Sequence, residues 1–213
     1  MSMHIYAFGS ICRGEVSFGS DIDLLAIVDS YNENLSPTVY SIYSYKRLRE
    51  LWEEGNPFAW HLSLESRLLF ASNAEDFLHK LGAPATYRRC RLDCEKFLQL
   101  FLEARHSATS ANFSRTFDLS TMFLGIRNFA TCYSLGMTAQ PNFSRNAALK
   151  LGVDRIPIAD HAYGILERAR VLGTRGYGPR ITESSFELAM NSADAVETWM
   201  NKLTEKISNG TRI

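Results

Sequence analysis

The sequence predicts an α+β protein: a mixed sheet with flanking helices over residues 1–82, followed by an all-helical bundle over residues 83–213. Three observations predict it. Short β-branched and aromatic runs alternate with helical spacing in the first part. After Gly82-Ala83-Pro84 the apolar residues recur at intervals of three and four. The 213 residues suffice for two compact domains, and 46% hydrophobic with 22% charged residues is the composition of a folded chain.

Ile5-Tyr6-Ala7-Phe8 is a strand-like run that ends at Gly9-Ser10. Ile22 and Leu24–Val28 form a second run, apolar enough for a central strand covered on both faces. Val39–Tyr45 is a third. Tyr45–Gly55 has helical spacing, with Leu48, Leu51 and Trp52 on one face and Gly55 as its stop. Phe58–Phe70 returns to alternation: Leu62 and Leu64 fall on one side, His61, Ser63 and Glu65 on the other, which predicts a further strand.

The second half reads as four or five amphipathic helices joined by short loops. Tyr87, Cys90, Cys94, Phe97 and Phe101 make one apolar stripe; Met122, Phe123, Ile126, Ala130 and Tyr133 make another. Ala162, Ile165, Leu166, Ala169 and Leu172 make a third, closed by Gly173. Phe186, Met190, Ala193, Met200 and Leu203 make the last, after a Ser184-x-x-Glu187 capping box. Four cysteines without Cys-x-x-Cys spacing or a histidine partner read as small core residues, with no structural zinc.

Charge narrows the function classes. Lys and Arg (23) balance Asp and Glu (23), which argues against a broad nucleic-acid-binding surface. No stretch approaches the ~18 apolar residues of a membrane helix, and no signal-like leader opens the sequence, so a cytoplasmic location is expected.

The stretch that carries chemistry runs from Phe8 to Leu24. A strand delivers Gly9-Ser10 into a tight turn, where glycine lets a phosphate approach the backbone and Ser10 offers a hydroxyl beside free amides. Asp21 and Asp23, two apart where the next strand begins, share one face. Two carboxylates so close repel, and a divalent cation such as Mg²⁺, which takes oxygen ligands and bridges to phosphates, relieves the conflict.

Gly9, Ser10, Arg13, Gly14, Ser20, Asp21 and Asp23 together resemble the signature of the nucleotidyltransferase superfamily that includes DNA polymerase beta, in particular its small bacterial members with a C-terminal helical domain, such as the aminoglycoside nucleotidyltransferases. The resemblance implies a nucleotidyltransferase-fold catalytic domain over 1–82 and a helical acceptor- or partner-binding domain over 83–213, with the acceptor in a cleft between them. It implies a site for one or two Mg²⁺ ions and for ATP or another nucleoside triphosphate, whose nucleoside monophosphate passes to a small-molecule or macromolecular acceptor. Asp21 and Asp23 are then metal ligands and catalytic. Gly9, Ser10, Arg13 and Ser20 bind the nucleotide, and Arg13 either touches phosphate or braces the loop. Glu65 is the candidate third carboxylate; Glu65-Ser66-Arg67 can equally be a hairpin turn.

The helical half is less specific. Arg127 lies where HEPN ribonucleases place an arginine, but the histidine of that signature is missing. Arg168, Arg170, Arg175 and Arg180 surround a glycine-rich segment, either as solvated helix-end charges or as a phosphate-binding loop. The alternative to catalysis is a nucleotide-binding regulatory or antitoxin-like protein whose helices bind a partner protein or a second copy.

Overall fold

The computed structural model describes residues 2–15, 22–30, 33–110 and 114–210. The chain divides into two compact units, Met1–Arg88 and Arg89–Ile213.

The first unit is built on strands β1 (Met3–Phe8), β2 (Asp23–Val28), β3 (Tyr40–Ser44) and β4 (Ser66–Ala71), in the order β3-β2-β1-β4. β1 runs antiparallel to both neighbours, and β2 runs parallel to β3. Alternation decides which side chains go inward. Tyr6 and Phe8 of β1 and Leu25 and Ile27 of β2 share one face, against which three helices pack. These are α1 (Tyr45–Glu53), α2 (Pro57–Glu65) and α3 (Phe77–Leu81). They contribute Leu48, Leu51 and Trp52, then Ala59 and Leu62, then Phe77 and Leu78. The opposite face carries a smaller cluster of Ala26, Val28 and Leu35. α1 begins where the Ser44 hydroxyl accepts the Arg47 N–H, 3.1 Å away. It buries the predicted Leu48, Leu51 and Trp52.

One element differs from its sequence reading. The strand expected over Phe58–Phe70 is a helix to Glu65 and a strand only from Ser66. Asn56 caps the helix, its Oδ1 accepting the Phe58 N–H at 2.9 Å, and Pro57 occupies the first turn with its φ preset. Those two residues are the sequence signal that the alternation of Leu62 and Leu64 obscured. Ala59 and Leu62, three apart, are buried, whereas Leu64 is 50% exposed. The segment that follows α3 is held to the unit by Trp52 Nε1, which donates to the Gly82 carbonyl (2.9 Å), and Trp60 Nε1, which donates to that of Ala85 (3.1 Å).

The second unit is helical: α4 (Cys90–Ser110), α5 (Arg115–Met137), α6 (Asp160–Arg175), α7 (Glu183–Met190) and α8 (Ala193–Ser208). α4 and α5 pack antiparallel. The Cys90 thiol meets the Cys132 carbonyl (3.5 Å), the Cys94 thiol meets that of Phe129 (3.8 Å), and Gly125 faces Phe101. All four cysteines are free thiols, and Cys90, Cys94 and Cys132 are buried in this helix pair. α5 is the centre of the bundle, with Phe123 against Tyr163 of α6 and Phe129 against Trp199 of α8, each ring pair 5.5 Å apart. α6 continues through Gly173, expected as its stop, and ends at Arg175 with Gly176 in the left-handed conformation. The last stripe is two helices broken at Asn191-Ser192, and the cap of α7 is Thr182, which accepts the Ser185 N–H, rather than Ser184. Arg168 donates to the Ser185 hydroxyl (3.2 Å), tying α6 to α7. Arg127 donates to the Phe143 carbonyl (3.0 Å).

Candidate nucleotide and metal site

β1 ends at Phe8, and the chain tightens at once into a 3₁₀ turn, Gly9–Arg13. Gly14 in the left-handed conformation closes the turn, its N–H reaching the Ile11 carbonyl (3.2 Å), while the Glu15 N–H reaches that of Ser10 (2.9 Å). Gly9 itself has φ +76°, and a Cβ built there would lie 2.7 Å from Oδ2 of Asp23. Two constraints therefore select glycine: a backbone angle that L side chains rarely adopt, and a carboxylate resting where a side chain would start.

Sheet register explains the encounter. Phe8 pairs with Asp23 of β2 on one side and with Ser66 of β4 on the other. Asp23 thus begins β2 beside the end of β1, on the same face as Leu25 and Ile27 by period-two geometry. Its side chain is exposed, unlike those that follow on the strand. The Gly9-Ser10 turn and the Asp23 carboxylate therefore lie side by side. Ser20 and Asp21, the other motif residues, lie outside the described residues. Oxygen donors at a turn without a Cβ suit a hard cation such as Mg²⁺. Among the described residues no set of three histidine, cysteine, aspartate or glutamate side chains converges, and Asp21 is not among them.

Arg13, at the end of the turn, is held by two acids. Its Nε donates to Glu15 Oε2 at 2.9 Å, and its Nη1 donates to Glu65 Oε2. Burial works against the guanidinium charge, but Glu15 and Glu65 outweigh it and raise the pKa further. Glu65 is the last residue of α2, and its side chain is only 15% exposed. His61, one helical turn earlier, brings Nε2 to 3.0 Å from the same Glu65 oxygen, and its ring packs edge-on against Phe8 at 5.7 Å between centroids. Burial pushes the Glu65 carboxyl up, while His61 and the Arg13 charge more than offset this and leave it below its ordinary value.

On a strand His61 and Glu65 would stand roughly 13 Å apart, at about 3.3 Å per residue. On the helix they touch, because residues four apart share a face. The contact of His61 with Glu65 is the part of this cluster that a strand reading hides. The signal for His61 was present in its i, i+4 spacing to Glu65 once Asn56-Pro57 is recognised as a helix start. Cys12, in the same turn, directs its thiol at the Ala7 carbonyl (3.4 Å), and burial raises its pKa.

Residues 3–81, from β1 through α3, match the family model of the nucleotidyltransferase domain. The protein's first unit thus belongs to the nucleotidyltransferase superfamily that the Gly9-to-Asp23 motif resembles. No curated protein matches the chain. Among the described residues, no helix is long and apolar enough to cross a membrane.

Proposed function

We propose that this protein is a divalent-cation-dependent nucleotidyltransferase that moves a nucleoside monophosphate from a nucleoside triphosphate, with ATP the first donor to test, onto a small-molecule or macromolecular acceptor. The observation that supports the reading is the Asp23 carboxylate seated against Gly9, an oxygen donor beside a turn that has no Cβ to keep a phosphate from the backbone. Asp21 and Asp23 would hold Mg²⁺ as one or two ions. When bound, the cation supplies charge neutralisation on the triphosphate and alignment of nucleophile and leaving group about the α-phosphorus. The protein's own part is binding and orientation. Gly9 admits the phosphate to the backbone amides, the Ser10 and Ser20 hydroxyls donate to phosphate oxygens, and Arg13 offers a cation at the end of the turn. The helical unit, residues 89–213, is the natural place for acceptor or partner recognition.

A second reading, a non-catalytic nucleotide-binding regulator acting through a partner protein or a second copy, draws on a specific observation. β3, the strand paired with β2, has no acid across Tyr40–Ser44, and Glu65 is engaged by Arg13. Titration calorimetry with each ribonucleoside triphosphate, with and without Mg²⁺, tests binding. Binding that requires the cation and is weakened in Asp21→Asn and Asp23→Asn is expected, and equal affinity in all three proteins refutes the metal site. Incubation with α-labelled triphosphate, Mg²⁺ and cell extract separates the readings, since only the transferase labels an acceptor.

A further inference from the structure

We infer that Glu65 is a positioning residue: backed by His61, it holds Arg13 at the phosphate turn and acts on a bound triphosphate through that guanidinium, not as a ligand of the cation. The inference rests on the nucleotidyltransferase reading above and assigns within it a role that neither the motif nor the family match supplies.

Three observations carry it. First, one oxygen of Glu65, Oε2, meets Arg13 Nη1 on one side and lies 3.0 Å from His61 Nε2 on the other, so that oxygen is already taken by Arg13 and His61. A dication on the same carboxylate would stand beside the Arg13 charge, and like charges at such range repel strongly in a half-buried site. Second, Glu65 is displaced from Asp23 across the sheet. Asp23 and Ser66 register on opposite sides of Phe8, so their backbones are roughly 10 Å apart at about 4.8 Å per strand spacing. Third, Arg13 is gripped by only part of its fork. Nε goes to Glu15 and Nη1 to Glu65, while Nη2 has no hydrogen-bond partner among the described residues. Two acids held at separate nitrogens fix the plane of the guanidinium and leave the Nη2 hydrogens for a phosphate oxygen.

The chain of contacts is therefore Phe8 ring, His61, Glu65, Arg13, phosphate. It begins on the strand that carries the Gly9 turn and returns to the end of that turn, so α2 stiffens the cradle from behind. Without Glu65, Arg13 keeps its charge and its Glu15 contact but loses the second anchor that sets its direction.

The test measures triphosphate affinity at saturating Mn²⁺, and separately the half-saturating Mn²⁺ for triphosphate binding, in wild type, Glu65→Gln, Arg13→Gln and the double variant. Expected for Glu65→Gln is a triphosphate Kd raised about tenfold, with half-saturating Mn²⁺ within about twofold of wild type. Expected for the double variant is no further loss beyond Arg13→Gln, since Glu65 acts only through Arg13. The inference is overturned if Glu65→Gln raises half-saturating Mn²⁺ about tenfold, or if it weakens binding equally with and without Arg13. Should Glu65→Gln not fold, Glu65→Asp, which keeps the charge on a shorter stem, carries the same two measurements. If no ribonucleoside triphosphate binds the wild type, the nucleotidyltransferase reading fails and takes this one with it. If wild type binds and only the Glu65 pattern departs, this inference alone falls.

Discussion

Replacing Gly9 by alanine tests the geometry on which the site depends. Two costs follow from the structure. The residue must hold φ +76°, and a left-handed conformation costs an L side chain about 1–2 kcal/mol. The new methyl must also displace the Asp23 carboxylate, whose Oδ2 is 2.7 Å from the Cβ position. Aspartate is short, so it yields by rotating away from its preferred rotamer, at about 0.5–1.5 kcal/mol. The sum is roughly 1.5–3.5 kcal/mol, which lowers the urea midpoint by about 1 M for an m-value of about 2 kcal/mol/M. Urea unfolding of Gly9→Ala, Asp23→Ala and the double variant separates the two terms. In the double variant only the backbone cost remains, so the cycle shows a coupling of about 0.5–1.5 kcal/mol. Divalent-dependent triphosphate binding falls in Gly9→Ala as well, because the ligand oxygen has moved. The reasoning is refuted if Gly9→Ala unfolds at the wild-type urea concentration, or if its cost is the same with and without the Asp23 carboxylate.

Two further outcomes are expected. In the helical unit, Asp154 is buried and ties α5 to α8: its carboxylate accepts the Tyr133 hydroxyl (2.7 Å) and pairs with Lys206 (2.5 Å), and its carbonyl accepts Trp199 Nε1 (2.8 Å). Asp154→Ala leaves the Tyr133 hydroxyl without its acceptor and destabilises by about 1–3 kcal/mol in chemical denaturation, whereas Asp160→Ala, at an exposed ion pair with Arg155, costs under about 1 kcal/mol. In the first unit, the Glu65 carboxyl lies below its ordinary value when folded, so its contribution is fully present above the unfolded carboxylate pKa of about 4.3 and is lost as pH falls through the folded value. The stability difference between wild type and Glu65→Gln in urea titrations is therefore constant near neutrality and shrinks in acid; a difference that grows on acidification contradicts the ion pair.

Much of the fold was legible in the sequence for local reasons. β1 and β2 are apolar runs with a clear period, and the buried sets Tyr6 with Phe8 and Leu25 with Ile27 follow from it. The face of α1 and the stripe on α5 follow in the same way, since burial of an amphipathic face needs only the right spacing. Reading failed where two periods fitted one segment. Residues 58–65 alternate well enough for a strand, and only the Asn56 cap and Pro57 decide for helix. It also failed at helix ends: Gly173 lies inside α6 because it packs against Ser120, a contact that spacing along α6 does not reveal.

The sequence by itself determined the chemistry on offer. A glycine-serine sequence, an arginine four residues after Gly9 and two aspartates two positions apart are covalent facts of the chain, and these residue types are the ones the proposed phosphate and cation site needs. Which side chains meet was decided by the tertiary structure. Strand pairing carried Asp23 to Gly9 across 14 positions, since antiparallel register sets Phe8 against Asp23. The packing of α2 brought Glu65 to Arg13 across 52 positions. Local propensities act over a few residues, whereas register and helix packing arise from burying Phe8, Leu25, Ala59 and Leu62 in one core. Glu65 consequently stands at Arg13, because the helix that buries Ala59 and Leu62 turns it that way.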